Sequence, residues 1–332
     1  MNGLYRSSAL LAALALGGTF SSVHAASFEV DDRTTLTLGG EVVLNFRDTE
    51  DNSGASETEF TDDGSLIILG GSRDLGNGIT GYIATEFTYN TLGDSDDDDD
   101  DLTRDMSVLG FTGDFGEVQV GDSDNVFEDL ISDSVDPFEN ATLAQVDRTT
   151  EDNMVTYYSP ELGDFSFRLQ TRIADETTTT NQTSTELSLI AAAQYDVGNL
   201  SLRAAYDDRG SVDAETNNNF QSEDGVYGVA AVIGLTDTLE ASARYANQSN
   251  KDGNDTDATA LALNFDYGMG SLYGAVQDVS VDNGNDGSQV AVGANYDVAE
   301  GLLIFAEYGD FDGFGDAGDN DSLAVAGLIF EY

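Results

Sequence analysis

The sequence predicts an all-β fold, a sixteen-stranded antiparallel transmembrane β-barrel, and three observations predict it. Apolar and small or polar residues alternate with a period of two in segments of about ten residues, as in Ala260-Leu261-Ala262-Leu263-Asn264-Phe265-Asp266-Tyr267, Phe165-Ser166-Phe167-Arg168-Leu169-Gln170 and Leu239-Glu240-Ala241-Ser242-Ala243-Arg244-Tyr245. Successive side chains of a strand point to opposite faces, so Leu261, Leu263, Phe265 and Tyr267 share one face. The connectors between segments alternate between short turns and long acidic loops, which a closed up-and-down barrel requires and a β-sandwich does not. Finally, no apolar run beyond residue 25 is long enough to cross a bilayer as a helix, which takes ~20 residues.

The elements follow in order. Sixteen strands are expected near 34–47, 65–73, 79–90, 105–112, 117–121, 153–159, 165–173, 185–195, 200–206, 224–234, 239–247, 257–267, 271–281, 288–296, 302–308 and 321–332. Short turns at Asp74–Gly78, Gly113–Gly116, Pro160–Asp164, Asp196–Asn199, Leu235–Thr238, Gly268–Gly270 and Asp297–Gly301 are rich in Gly, Asn and Asp, the residues that tolerate positive φ. The longer loops fall near 48–64, 91–104, 122–152, 174–184, 207–223, 248–256, 282–287 and 309–320. Tyr195, Tyr267 and Tyr296 mark one set of strand ends and Tyr206, Tyr245 and Tyr308 the other, as aromatic girdles would. Neither of the two prolines lies inside a strand, where it would remove a ladder hydrogen bond.

Composition narrows the chemistry. The chain has 332 residues, 63 acidic and 12 basic side chains, a formal net charge of -51, one His and no Cys. Thiolate metal sites and disulfides are excluded, and nucleic acid is not a partner for so acidic a chain. Residues 1–25 read as a secretory signal peptide: a weakly basic start, the apolar stretch Ser8–Phe20, and the small-residue site Val23-His24-Ala25. Cleavage after Ala25 would leave residues 26–332 as the barrel and remove the only histidine. Catalysis by a histidine-based triad, acid–base histidine or histidine-ligated zinc is then excluded, and the chain is not expected to be an enzyme. Heavy use of Asp, with Lys251 the only lysine, suggests a saline habitat.

Several stretches resemble the sixteen-stranded general porins of Gram-negative bacteria. These are Asp74-Leu75-Gly76-Asn77-Gly78-Ile79-Thr80-Gly81-Tyr82, Ser107-Val108-Leu109-Gly110-Phe111-Thr112-Gly113-Asp114-Phe115-Gly116 with Val118-Gln119-Val120-Gly121, and Asn153-Met154-Val155-Thr156-Tyr157-Tyr158-Ser159-Pro160. The C-terminal half matches in pattern and in its terminal aromatic, Tyr332. The resemblance implies a homotrimer of water-filled barrels in the outer membrane, in contact with outer-membrane lipid. Ions and small solutes would diffuse passively through barrels narrowed by a third loop folding inwards. Here that loop is 122–152, in which Phe127-Glu128-Asp129-Leu130 and Asp136-Pro137-Phe138-Glu139 stand where the family has its loop motifs.

Asp122, Asp124, Glu128, Asp129, Asp133, Asp136 and Glu139 are therefore the candidates for an acidic constriction. The family sets basic residues on the wall facing the loop, and this chain departs from it. Glu41, Ile68 and Val108 stand at three such places, and Asp122 replaces a basic residue after Gly121. By phase, Arg47, Arg168, Arg172, Arg203 and Arg244 face inwards with Glu86, Glu240 and Glu307. Each arginine is equally readable as one half of a wall ion pair. With the basic wall depleted and the loop acidic, a cation-selective pore is expected, since acidic rings favour cations.

No cofactor is expected. The run Asp96, Asp97, Asp98, Asp99, Asp100, Asp101 and the Gly/Asp-rich loops suit diffuse association with calcium or magnesium rather than a discrete site, because no twelve-residue calcium loop is present. The alternative reading is a secreted, calcium-stabilised β-rich adhesin or structural surface protein, motivated by repeated Gly and Asp. It lacks the nonapeptide repeat of a calcium β-roll and gives the closing aromatic no purpose.

Overall fold

A chain whose strands carry one apolar and one polar face can bury all its backbone hydrogen bonds in a bilayer only by closing the sheet on itself. The structure, a computed structural model, describes residues 25–51, 54–92, 102–143, 153–177, 183–208, 225–249, 255–282, 284, 286–312 and 320–332. Residues 1–24, read above as most of a leader, and Asp96 to Asp101, read as a site of diffuse cation association, lie outside the described residues.

Eighteen strands are described: β1 (Ala26–Asp31), β2 (Thr34–Asp51), β3 (Ser56–Asp62), β4 (Leu66–Gly76), β5 (Ile79–Thr88), β6 (Thr103–Gly113), β7 (Gly116–Asp122), β8 (Met154–Tyr158), β9 (Phe165–Thr177), β10 (Thr183–Val197), β11 (Leu200–Asp207), β12 (Val226–Thr236), β13 (Leu239–Gln248), β14 (Thr256–Asp266), β15 (Ser271–Val281), β16 (Gly287–Ala299), β17 (Leu302–Asp312) and β18 (Asn320–Glu331). From β4 onward each strand pairs antiparallel with the next; β4 also pairs with β2, and β18 returns to β2, closing a sixteen-stranded barrel. Among the described residues no helix is long and apolar enough to cross a membrane.

The two further strands, β1 and β3, were not expected from the sequence. β3 lies in the stretch read as a plain acidic loop over 48–64. It pairs with the upper half of β2, where Phe46 stacks on Phe60 at 4.4 Å and Arg47 meets Glu59 at 2.9 Å. Glutamate and aspartate disfavour strands, so their density hid an alternation that cross-strand partners stabilise. β1 pairs with the lower half of β2, from Ala26 opposite Leu38 to Asp31 opposite Thr34.

The two faces sort as the alternation predicts. Ile83, Leu109, Leu261, Leu263 and Val292 point outwards and are exposed, while Gln119, Gln170, Gln277, Gln289 and a series of alanines point inwards and are buried. Exposed leucines on a continuous face are stable against hydrocarbon, and the inward amides would be costly there. Three inward aromatics lie flat over the glycine directly across the strand pair: Tyr82 over Gly110, Tyr273 over Gly293 and Phe305 over Gly327.

The closing seam depends on small residues. Gly40 N–H donates to the carbonyl of Tyr332 at 3.1 Å and Tyr332 N–H returns a bond to the Gly40 carbonyl at 2.9 Å. A Cβ on Gly40 would stand 2.5 Å from the Leu66 carbonyl and 2.8 Å from the Tyr332 hydroxyl. Gly40→Val is therefore expected to cost about 1–3 kcal/mol by overpacking. It should shift the urea midpoint of the folded, fast-migrating gel species downward; an unchanged midpoint would contradict the tight seam.

Candidate functional site

The connector between β7 and β8 is far longer than a hairpin turn needs, and its described part, residues 123–143, folds into the barrel. Its first part is helical: a single π turn over Glu128–Ser132 runs into a 3-10 turn over Asp133–Val135. That local winding gives the segment two faces. Val126, Phe127, Leu130 and Ile131 are buried against Met154, Ile190, Ala192, Ala205, Val226 and Ala230 of β8 and β10–β12. Further along, Val135, Phe138, Ala141 and Leu143 are buried among Ala260, Ala262, Tyr273, Phe305, Leu323 and Val43, so the loop reaches the wall of β14–β18 and β2. Alanines on the inward face make room for it. Burial of these apolar side chains holds the body of the loop.

Polar contacts fix its two ends. At the root, Gln170 accepts from Val126 N–H at 3.1 Å and donates to the Asp124 carbonyl at 2.8 Å and to Thr156 Oγ1 at 2.9 Å. Asn125 Oδ1 caps Phe127 N–H at 2.7 Å, and its amide donates to Asp207. At the tip, the Glu307 carboxylate of β17 accepts three successive backbone N–H groups, from Glu139 at 2.8 Å, Asn140 at 2.8 Å and Ala141 at 2.9 Å, together with the Tyr273 hydroxyl at 2.8 Å. Asn45 donates to Asn140 at 3.0 Å and to Asp63 at 3.1 Å. Charge-assisted bonds to a buried carboxylate are roughly twice as strong as neutral ones. Glu307 is thus the anchor of the loop tip.

The candidate acids separate into two groups. Asp129 lies on the π turn, Asp133 opens the 3-10 turn and Asp136 follows it, and all three are close enough for Asp129 and Asp136 to act on Asp133. Asp129 pairs with Arg168 of β9 at 2.7 Å, and Arg168 also lies over the Tyr158 ring at 5.5 Å. Arg244 of β13 is buried, donates to the Ser132 carbonyl at 3.5 Å and bonds Gln277. Arg203 of β11 lies between them, two strands from each. Asp122 stands at the loop's root instead, where it pairs with Arg104 at 2.8 Å and accepts from Asn153 N–H at 3.0 Å. Asp124 contributes its backbone carbonyl, Glu128 is half-buried on the helical turn, and Glu139 contributes its N–H to Glu307.

The wall candidates divide similarly. Arg47 is held by Glu59 at 2.9 Å on the β2–β3 extension, and Arg172 is half-buried on β9 beside Ser188. Glu41, Ile68 and Val108 are inward and buried on β2, β4 and β6, with Glu86 on β5. That side of the barrel is acidic and apolar, and the arginines of β9, β11 and β13 lie on the side the loop follows. Among the described residues no group of three or more metal-ligating side chains is arranged to hold an ion.

Burial and crowding perturb the loop carboxyls. Burial raises the Asp129 carboxyl, and the Arg168 guanidinium offsets part of that rise. Asp133 is pushed well above the usual range by burial and then by Asp129, Glu128, Asp136 and Asp124. Burial pushes Asp136 up to about 7, against the bond it accepts from Phe138 N–H. Asp136 therefore changes charge near neutrality. Glu307, Gln170, Asn125, Asn45 and Asp63 were not singled out from the sequence; phase placed Glu307 on the inner face, but its partners are 166 to 168 residues away along the chain.

Glu307→Gln should loosen the tip, because its amide NH2 cannot accept from a backbone N–H, at a cost of about 1–3 kcal/mol. The expected result is larger current fluctuations from single inserted molecules with little change in the barrel's unfolding midpoint. Steady wild-type currents from the variant would contradict the anchor.

Comparison with known proteins gives a consistent picture. A family profile described as Gram-negative porin matches residues 9–328. A "Monosaccharide porin" from Halomonas sp. and a "Major outer membrane protein" from Halomonas elongata are each 26% identical over 361 residues, covering 95% of this chain and 98% of theirs. Among solved structures, an anion-selective porin from Comamonas acidovorans superposes with a TM-score of 0.69 at 16% identity, covering 90% of this chain and 100% of that one. A loop L8 deletion mutant of OmpT from Vibrio cholerae gives 0.68 at 17% identity, covering 91% and 100%.

Proposed function

The chain belongs to the Gram-negative porin family, and on that footing we propose that it forms a cation-preferring pore for ions and small hydrophilic solutes. The protein is an outer-membrane diffusion channel, and its fold points to a passive pore rather than an enzyme. The finer reading concerns sign and size. The observation that carries it is the loop's acidic segment inside the barrel, where Asp129 has one arginine partner while Asp133 and Asp136 crowd beside it. Acidic groups in a low-dielectric constriction concentrate cations and repel anions. Asp124, Glu128 and Glu139 add negative charge along the same loop and Glu41 adds to it from the wall, while Asp122 at the root is offset by Arg104.

The solute class is small and hydrophilic, because the inward face presents amides, hydroxyls and carboxylates. The Halomonas relative named a monosaccharide porin supports including neutral sugars. We propose a homotrimer in contact with outer-membrane lipid, the apolar and aromatic outward faces of the first and last strands forming the contact between copies, and residues 1–25 as the leader removed on export. Calcium or magnesium would associate diffusely with the acidic external loops.

Planar-bilayer recording under a potassium chloride gradient tests the sign. A zero-current potential of cation-selective polarity is expected at pH 8. As the pH falls through about 7, Asp136 takes up a proton and the cation preference should shrink. Asp136→Asn should reduce that pH dependence, leaving the part carried by Asp133. An anion-selective potential at pH 8 would sink the reading.

A further inference from the structure

We propose that, among the described residues, Arg203 is the one wall arginine whose charge remains available to solutes, and that this charge governs how far small anions, carboxylates among them, enter this pore. The proposal rests on the diffusion-channel reading and deepens it, and it follows from where the charge of each other described arginine goes. Arg168 is held by Asp129 at 2.7 Å, Arg47 by Glu59 at 2.9 Å and Arg104 by Asp122 at 2.8 Å. Arg33 and Arg73 are paired with Asp74 and Asp31 at the short-turn end. Arg244 is buried beneath the loop and donates to Ser132 and Gln277. Arg172 is half-buried on β9 and also takes part in interactions within the barrel.

Arg203 differs. Among the described residues no carboxylate lies within ion-pair distance of it, and its side-chain contact is a 3.5 Å approach of Nε to Ser201 Oγ on its own strand. It is half-buried, which leaves part of the guanidinium open to the lumen. Its cross-strand neighbours are Gln194 of β10 and Ala230 of β12, one uncharged and one too small to cover it. The charges that act on it come from farther off: Arg168 repels it, and Asp196, Glu240 and the loop's Asp133 attract it. A guanidinium in that setting presents a planar fork of donors to a passing carboxylate or chloride. Because the surrounding field is acidic, this guanidinium is the local relief that the described residues of this wall offer an anion.

The test uses the full-length protein refolded into planar bilayers at pH 8, with folding checked by gel mobility. Chloride and acetate permeability relative to potassium are read from zero-current potentials in potassium chloride and potassium acetate gradients. Arg203→Gln is expected to lower both anion permeabilities roughly threefold, the scale of one charge in a narrow low-dielectric passage. Arg203→Lys should retain chloride permeability, because it keeps the charge. Gln194→Glu, which places a carboxylate directly across the strand pair and leaves Arg203 in place, should act in the same direction as Arg203→Gln and covers the case in which that variant does not fold. Unchanged anion permeability in Arg203→Gln, or equal losses in the Lys and Gln variants, would overturn the proposal. The wild-type polarity is a separate readout: an anion-selective wild type would end the cation-preferring reading while leaving the Arg203 comparison to be judged on its own ratio.

Discussion

The arrangement of this pore depends on a carboxylate on the barrel wall holding three consecutive backbone N–H groups of a loop tip. Glu307 accepts from Glu139, Asn140 and Ala141 and also from Tyr273, so a segment that left β7 ends fastened on β17. A long acidic connector has little reason of its own to enter a barrel of the same sign. Two things bring it in: apolar residues that the inward alanines accommodate, and donors that only a wall acceptor can satisfy. With the tip fastened, Asp129, Asp133 and Asp136 are carried to the wall of β9–β13, where Arg168 takes one of them. Without it the same acids would be free to return to solvent.

The lipid imposes the other constraint. Every outward position must suit hydrocarbon, which leaves the inward positions to carry all functional variation. Along β13–β16 the outward row Ala241, Leu263, Gly274 and Val292 is apolar, while the inward row Arg244, Ala260, Gln277 and Gln289 alternates reach with space. Alanine at an inward position permits the loop to approach, and a long polar residue at the next strand fixes it. The chain's distinctive charge pattern lies in this inward set: Arg168, Arg203 and Arg244 gather on β9, β11 and β13, and Glu41, Glu86, Ile68 and Val108 lie on β2 and β4–β6, where Arg47 and Arg104 are each paired with a carboxylate.

The barrel was legible because its signal is repeated in every strand. Period-two alternation, sorted connector lengths and girdle tyrosines each recur, so boundary errors did not affect the strand count. β3 was missed because Glu57 and Glu59 read as loop residues; only partners across the pair, Thr49 and Arg47, make them strand. The inward loop was legible through resemblance to porins and through its length. Its fastening was not, because a Glu307 surrounded by strand residues looks like any other inward acid until the loop's N–H groups, 166 to 168 residues earlier, are placed beside it. Phase identified which arginines face inwards, but ion pairing between elements distant in sequence decides which of them keep a usable charge.

The most direct test of the loop's position and charge uses a chain that has no cysteine of its own. A single Asp133→Cys variant in a planar bilayer would be treated with a cationic and, separately, with an anionic methanethiosulfonate. If the loop lines the conduction path, both reagents should lower conductance, and they should move the zero-current potential in opposite directions. Full labelling with neither effect would place Asp133 away from the path and contradict the account.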